Sequence, residues 1–191
     1  MQMKPIGVLA LQGDFFEHIR LLTEHDVPAI EVRSRGDLAK CSALIIPGGE
    51  STTMAHLMQT AGLEGGIKKR VAEGMPFYGT CAGAILAAKK VIGEKRYRPL
   101  GLIDICVERN AYGRQADSFE AALEVKGEGK MNGVFIRSPV IKKAGKKVEV
   151  LSSLSGKPVL VRSGNVLCGT FHPETESQFL CHKLLLKMAS K

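Results

Sequence analysis

The sequence has no C-x-x-C spacing, no basic run interleaved with aromatics, no internal repeat and no low-complexity segment. Each absence narrows the field. Cys41, Cys81, Cys106, Cys168 and Cys181 are an odd set without metal-ligand spacing, which argues against both a zinc site and a complete disulfide framework. Reduced thiols in a cytoplasmic protein fit better. No apolar stretch approaches the ~20 residues that a membrane span needs. The N-terminal run from Met1 to Leu11 stops at Gln12-Gly13-Asp14 with no small-residue cleavage site behind it, so it reads as a first strand and not a signal peptide. No Pro-, Ser- or Gly-rich linker interrupts the 191 residues, a length near the ~150 typical of one domain, and one domain over 1–191 is expected.

The formal net charge of +8 raises the question of nucleic acid. Lys68-Lys69-Arg70, Lys89-Lys90, Lys142-Lys143 and Lys146-Lys147 are short, scattered runs outside any recognisable nucleic-acid module. They suit solvated faces, or an acidic partner surface, better than a phosphate backbone.

What is present is an alternation of strand and helix. Ile6 to Leu11 is a strand-length apolar run, after which Asp14 is expected to cap a helix with Phe15, Ile19 and Leu22 at helical spacing. Ala29 to Val32 and Ala43 to Ile46 follow as strands, and the second runs into Pro47-Gly48-Gly49-Glu50-Ser51 and a helix over Thr52 to Gln59. Met75 to Tyr78 is a fourth strand, leading through Gly79 into a helix over Ala82 to Lys90. This pattern predicts an α/β fold in three layers, with a mostly parallel central sheet covered by helices on both faces. From Leu102 onward strand-like runs dominate: Ile103 to Val107, Leu123 to Val125, Val148 to Leu151, Val159 to Val161 and Val166 to Cys168. They predict an antiparallel extension of the sheet, closed by an amphipathic helix bearing Leu180, Leu184 and Met188.

Three segments carry chemistry. Gly79-Thr80-Cys81-Ala82-Gly83 has the G-x-nucleophile-x-G form of a strand-to-helix elbow, whose small flanking residues permit a strained turn. At a helix start, free N–H groups favour a thiolate and can receive an oxyanion. His172-Pro173-Glu174 follows the last strand, and in an extended segment His172 and Glu174 project to the same side as a base and its orienter. A lone Cys is more often a buried apolar residue and a lone His structural, but an elbow Cys together with His-Pro-Glu fits a Cys-His-Glu triad. Pro47 to Ser51 is a glycine-rich turn at the carboxyl end of a strand, where open α/β sheets place ligands. It lacks the Lys-Ser/Thr of a P-loop, which favours an amide or oxyanion contact, with a plain turn capped by Ser51 as the structural alternative.

Together these segments resemble the class I, triad glutamine amidotransferases, over nearly the whole chain. More specifically, Leu11-Gln12-Gly13, Pro47 to Met54, Glu108-Arg109-Asn110-Ala111-Tyr112-Gly113-Arg114-Gln115 and Gly133-Val134-Phe135-Ile136-Arg137 resemble the glutaminase subunits of pyridoxal 5'-phosphate synthase. The resemblance implies that glutamine is held by Gly49, Glu50, Ser51, Arg109, Ile136 and Arg137. It also implies an oxyanion and activation region at Gln12, Gly48, Gly49 and Ala82. A zwitterionic substrate does need a cation for its carboxylate and an acceptor for its ammonium. The implied reaction is hydrolysis of L-glutamine through a glutamyl thioester, without metal or bound cofactor, with ammonia passed to a synthase subunit in a hetero-oligomer. Pyridoxal phosphate is then a product of the complex. Only the Lys-rich stretch from Lys142 to Lys147 looks peculiar to this chain. The glutaminase of another synthase, such as the imidazole glycerol phosphate system, shares triad and fold, but the segments around Arg109 and Arg137 count against it. A cysteine peptidase of the same fold is not expected to carry the late His-Pro-Glu, and a non-catalytic binding module remains the alternative outside enzymes.

Overall fold

The computed structural model describes residues 4–109, 118–176 and 178–190; Asn110 to Gln115 of the motif that begins at Glu108 lie outside them. The first half alternates strand and helix. β1 (Ile6–Leu9), α1 (Phe15–Glu24), β2 (Ala29–Val32), α2 (Arg35–Lys40) and β3 (Ala43–Ile46) lead to α3 (Ser51–Thr60) and α4 (Leu63–Ala72). β4 (Phe77–Thr80), α5 (Ala82–Ala87) and β5 (Ala88–Val91) complete it. The second half holds β6 (Ile103–Glu108), β7 (Phe119–Val125), β8 (Gly129–Phe135), β9 (Val140–Ala144), β10 (Glu149–Leu154), β11 (Lys157–Ser163) and β12 (Val166–Gly169). A 3-10 turn over Pro173–Glu176 and α6 (Leu180–Ala189) end the chain.

The central sheet has seven strands in the order β10-β11-β12-β4-β3-β1-β2. β1, β2, β3, β4 and β12 run parallel, and β11 is antiparallel to both β10 and β12. Side chains alternate across it as strand geometry requires. Leu44 and Ile46 of β3, Phe77 of β4 and Cys168 of β12 join the core beneath α2, α3, α4 and α5. Ala43 and Ile45, Tyr78 and Leu167 join the core beneath α1, α6 and the β7–β8 hairpin. Strands buried on both faces explain the unbroken apolar runs in β1 and β3.

Three expectations need correction, and one helix was missed. The helix expected over Ala82 to Lys90 ends at Ala87, because Ala88 to Val91 pairs in parallel with β6 and buries Val91 while leaving Lys89 and Lys90 exposed. Tertiary pairing overrides the helix propensity of Ala and Lys. Secondly, only β10 and β11 extend the central sheet; β5-β6-β9 form a separate sheet and β7-β8 a hairpin. Thirdly, Asp14 occupies the N-cap position of α1 but makes no capping hydrogen bond, since its carboxylate turns towards His172, 3.5 Å from Nδ1. Lastly, helix α2 was not foreseen, although Ser34-Arg35-Gly36-Asp37 forms a capping box in which the Ser34 hydroxyl accepts from the Asp37 N–H and Asp37 accepts from the Ser34 N–H.

Candidate active site

β4 lies between β3 and β12, and the chain turns sharply at its carboxyl end. Cys81 sits at that turn with φ 46° and ψ −102°, a conformation that a non-glycine residue holds only when its surroundings enforce it. Close packing is the enforcement. A Cβ on Gly79 would lie 2.6 Å from the Gly83 carbonyl carbon, and one on Gly83 would lie 2.0 Å from the Ile46 carbonyl oxygen. α5 can therefore rest on β3 and β4 only if both flanking residues are glycine. The Cys81 N–H donates to the Gly169 carbonyl at 2.9 Å, which ties the elbow to β12, the strand that runs into His172. Cys81 is 7% exposed, and Ala82 is the buried first residue of α5.

His172 does not continue an extended strand into Glu174, as expected from the sequence. Its N–H donates to the Val134 carbonyl at 2.8 Å in an isolated antiparallel bridge to β8, and Pro173 then starts the 3-10 turn. The intended partners still meet: His172 Nδ1 and Glu174 Oε1 are 2.8 Å apart. The bridge holds the imidazole and the turn folds the carboxylate back onto it, where a strand would have relied on alternation alone. Burial opposes the charge on His172, but the Cys81 thiol and the Glu174 carboxylate outweigh it and hold the imidazole up at about 10. Burial raises the pKa of Glu174, and His172 pulls it back down. Donor atoms of Asp14, His172 and Glu174 lie within 4.8 Å of one another. A cation there would have to displace the Nδ1 proton held by Glu174.

The glycine-rich turn abuts this pair. A Cβ on Gly48 would lie 2.3 Å from His172 Cε1, so the imidazole packs directly on the Gly48 backbone. The Gly48 carbonyl accepts from the Asp14 N–H at 3.1 Å, and the Gln12 side-chain oxygen accepts from the Glu50 N–H at 2.8 Å. Gln12 thus braces the turn, and Gly49, at φ 153°, has no room for a side chain beside Gln12. Glu50, not Ser51, caps α3: its carboxylate accepts from the Thr52 and Thr53 N–H groups at 3.1 and 2.7 Å. Burial works against that charge, but these bonds win and hold Glu50 down at about 2. Ser51 is buried, with its hydroxyl 3.1 Å from that of Tyr97.

Arg109 reaches the same place from the end of β6. Its guanidinium donates to Glu94 at 2.6 Å, to Glu50 at 3.0 Å and to Thr52 at 3.2 Å. Ile136 and Arg137 follow β8, the strand bridged to His172; Ile136 is 36% exposed and Arg137 has φ 45°. The fold therefore gathers Gln12, Gly48 to Ser51 and Arg109 in one bonded group, and Ile136 and Arg137 follow the strand whose Val134 bridges to His172. His18, Glu94 and Tyr97 were not singled out from the sequence, and Asp14 only as a helix cap. Only His18 left a signal there, since it falls on the same helical stripe as Phe15, Ile19 and Leu22.

The model of the SNO glutamine amidotransferase family matches residues 8–191. The chain belongs to that family. The SNO match spans every residue of the candidate site, from Gln12 to Glu174. A pyridoxal 5'-phosphate synthase subunit PdxT from Thermus thermophilus is 50% identical over 96% of this chain and 97% of its own length. The PdxT of Kosmotoga olearia is 45% identical over 95% and 96%. A crystal structure of a glutamine amidotransferase superposes with a TM-score of 0.93 at 49% identity, covering 97% of this chain and 99% of that one. Elsewhere on this SNO-family fold, a surface cavity of about 470 Å³ is lined by Gly74, Lys147, Arg162 and Asn165. It opens at the amino ends of β4 and β12, opposite the candidate site. No helix among the described residues is long and apolar enough to cross a membrane.

Proposed function

We propose that the 191 residues act as one glutaminase domain that hydrolyses L-glutamine to L-glutamate and ammonia and passes the ammonia to a pyridoxal 5'-phosphate synthase subunit. The observation that carries the reading is the 2.8 Å contact between His172 and a fully buried Glu174 beside a thiol in a strained elbow. Glu174 fixes the imidazole proton on Nδ1, which leaves Nε2 to take the proton of Cys81. The Cys81 sulfur attacks the side-chain amide carbon of glutamine. His172 gives the proton to the departing nitrogen, and ammonia leaves a γ-glutamyl thioester. Water, activated by the same imidazole, releases glutamate. Backbone N–H groups of Ala82 and near Gly49 stabilise the tetrahedral oxyanion, at ~3 kcal/mol for each donor.

The α-carboxylate of glutamine is assigned to Arg109 and Arg137 and its ammonium to Glu50, with Ile136, Ser51 and Gly49 closing around the chain. The names of the PdxT relatives support the synthase as recipient. Chemistry supports direct transfer as well: ammonium is no nucleophile for a sugar-phosphate carbonyl, so release into water at neutral pH wastes the nitrogen. A cytoplasmic location and a hetero-oligomer complete the proposal. The deciding experiment is glutamate release by Cys81→Ala measured with the synthase subunit present. A loss on the order of 10⁶ in turnover, with folding retained, is expected by analogy with a serine triad, and near-normal activity would remove the proposal.

A further inference from the structure

Glu174 has two carboxylate oxygens, and His172 uses only one of them. Oε2 is fully buried and completes no hydrogen bond, an unfavourable state for a carboxylate. The group facing it is His18 of α1, whose Nε2 lies 3.4 Å away. His18 is itself fully buried, and its Nδ1 is 2.8 Å from Nε2 of His182 on α6, also fully buried. A line of four side chains thus runs from the thiol side of the site into the core: His172, Glu174, His18, His182. Nothing in the proposed reaction uses the last two.

Their protonation is constrained. Burial, then His182, then His172 hold His18 well below its ordinary pKa, and burial with His25 holds His182 down at about 3. Both rings are neutral, so each carries one N–H and one lone pair. With the His18 proton on Nδ1, the Nε2 lone pair faces the carboxylate and repels it. With the proton on Nε2, His18 donates to Oε2 while its Nδ1 accepts from the His182 Nε2–H. The Gln178 carbonyl lies near His182 and favours a proton on the ring nitrogen that faces it, but Nδ1 completes no hydrogen bond, so this competitor for the His182 proton is weak. The other groups packed on His18 are Thr80, whose hydroxyl hydrogen-bonds Nε2 at 3.4 Å and can accept from a protonated Nε2 or donate to a bare one, and the Tyr78 ring edge-on, with Cys181 behind it. None of these is charged.

We propose that His18 and His182 are positioning residues that extend the Cys81–His172–Glu174 triad, with His18 donating from Nε2 to Glu174 Oε2 so that the carboxylate stays ionised and fixed against His172. The proposal rests on the triad reading above. It also gives α1 and α6 a part in catalysis, because each contributes one imidazole.

The tautomers can be read directly in the unmodified protein by nitrogen NMR of its histidines, alone and with the synthase subunit. A protonated Nε2 and bare Nδ1 on His18 are expected; the opposite tautomer overturns the proposal. The functional test compares His18→Phe, which keeps the bulk and loses the donor, with His18→Gln, whose amide can place an N–H near the Nε2 position. Loss of a hydrogen bond to a charged group predicts a fall of about 10- to 100-fold in kcat for His18→Phe with little change in KM. The pH profile should also shift on its acid side: without the donor Glu174 protonates more readily, which raises the acid limb. A purely structural role leaves that limb in place. His18→Gln should recover most of the rate and the acid limb. Unchanged kcat and acid limb in His18→Phe, with Cys81→Ala inactive, sink the relay alone; an active Cys81→Ala sinks the triad on which it rests. Should His18→Phe fail to fold, the NMR tautomer still decides.

Discussion

Gly48→Ala tests whether His172 acts from the position described here. Gly48 is not among the positive-φ residues, so alanine meets no backbone strain and the effect comes from one methyl group. That methyl would lie 2.3 Å from His172 Cε1 and 2.9 Å from both His172 Nδ1 and Asp14 Oδ2, where ordinary contact needs 3.4–4 Å. Asp14 is only half-buried and can swing aside. The imidazole cannot: it is buried, bonded to Glu174 and bridged to β8 through its own backbone. Either the ring or the glycine-rich turn must retreat by about 1 Å, and a misplacement of that size costs ~10²-fold in rate. Overpacking of this kind costs ~1–3 kcal/mol of stability, which a thermal melt will register without loss of the fold. The assay is glutamate release at saturating glutamine with the synthase subunit present. Gly65→Ala in α4 is the control, because a Cβ there meets nothing within 4 Å. It should leave turnover alone and add ~0.5–1 kcal/mol of stability by removing a glycine from a helix interior. Wild-type turnover in Gly48→Ala would mean that His172 is not the base in this arrangement.

Glu174→Gln keeps the packing but weakens tautomer selection and imidazolium stabilisation, and the equivalent change in a serine triad costs ~10⁴ in turnover; a smaller loss is expected here because a thiol ionises more easily, and parental activity would reduce the site to a Cys-His dyad. Arg109→Lys retains a charge but cannot span Glu94, Glu50 and a substrate carboxylate with a planar fork. KM for glutamine should rise about tenfold or more with kcat largely kept, as for lost uniform binding, and an unchanged KM removes Arg109 from the substrate site. Glutamate release by the isolated chain should be low and should rise on titration with the pyridoxal 5'-phosphate synthase subunit but not with an unrelated synthase, because docking near Gln12 and Pro47 to Ser51 can reorient glycine peptides at little steric cost; full activity alone refutes that control.

Much of the scaffold was legible because parallel strands buried on both faces leave a local trace. β3 coincides with its apolar run, and Cys81 was marked by two glycines whose close contacts leave no room for a Cβ. What was not legible depends on partners distant in sequence. β5 looks helical until β6 pairs with it, and β8 and β9 are strands whose Lys, Asn and Gly content hides them until β7 and β6 supply hydrogen bonds. The site shows the same division. His172 and Glu174 are two residues apart and could be paired on paper, though by the wrong backbone geometry. Glu94, Tyr97 and His18 reach their partners through contacts 15, 46 and 164 residues away along the chain, and no periodicity encodes those.

On the proposed assignment, the substrate side of the site is held in a state that glutamine has to rearrange. Arg109, the proposed carboxylate clamp, is already bonded to two carboxylates that differ in their freedom to leave. Glu94 has a side chain only 2% exposed and also takes Arg96 at 2.7 Å, so it is fixed. Glu50 has a side chain 49% exposed, and it keeps the Thr52 and Thr53 N–H groups at the start of α3 if Arg109 lets go. Its charge does not depend on the arginine, since those helix N–H groups are the leading contributions holding its pKa down against burial. Exchange at the Glu50 edge therefore leaves no charge stranded: Glu94 still anchors the guanidinium, the cap still satisfies Glu50, and the incoming carboxylate takes the vacated donor. Glu50 is then released beside the same arginine that binds the carboxylate, which is where the ammonium of an α-amino acid must lie. One ion pair in the resting site thus holds both halves of the proposed amino-acid recognition pattern in place.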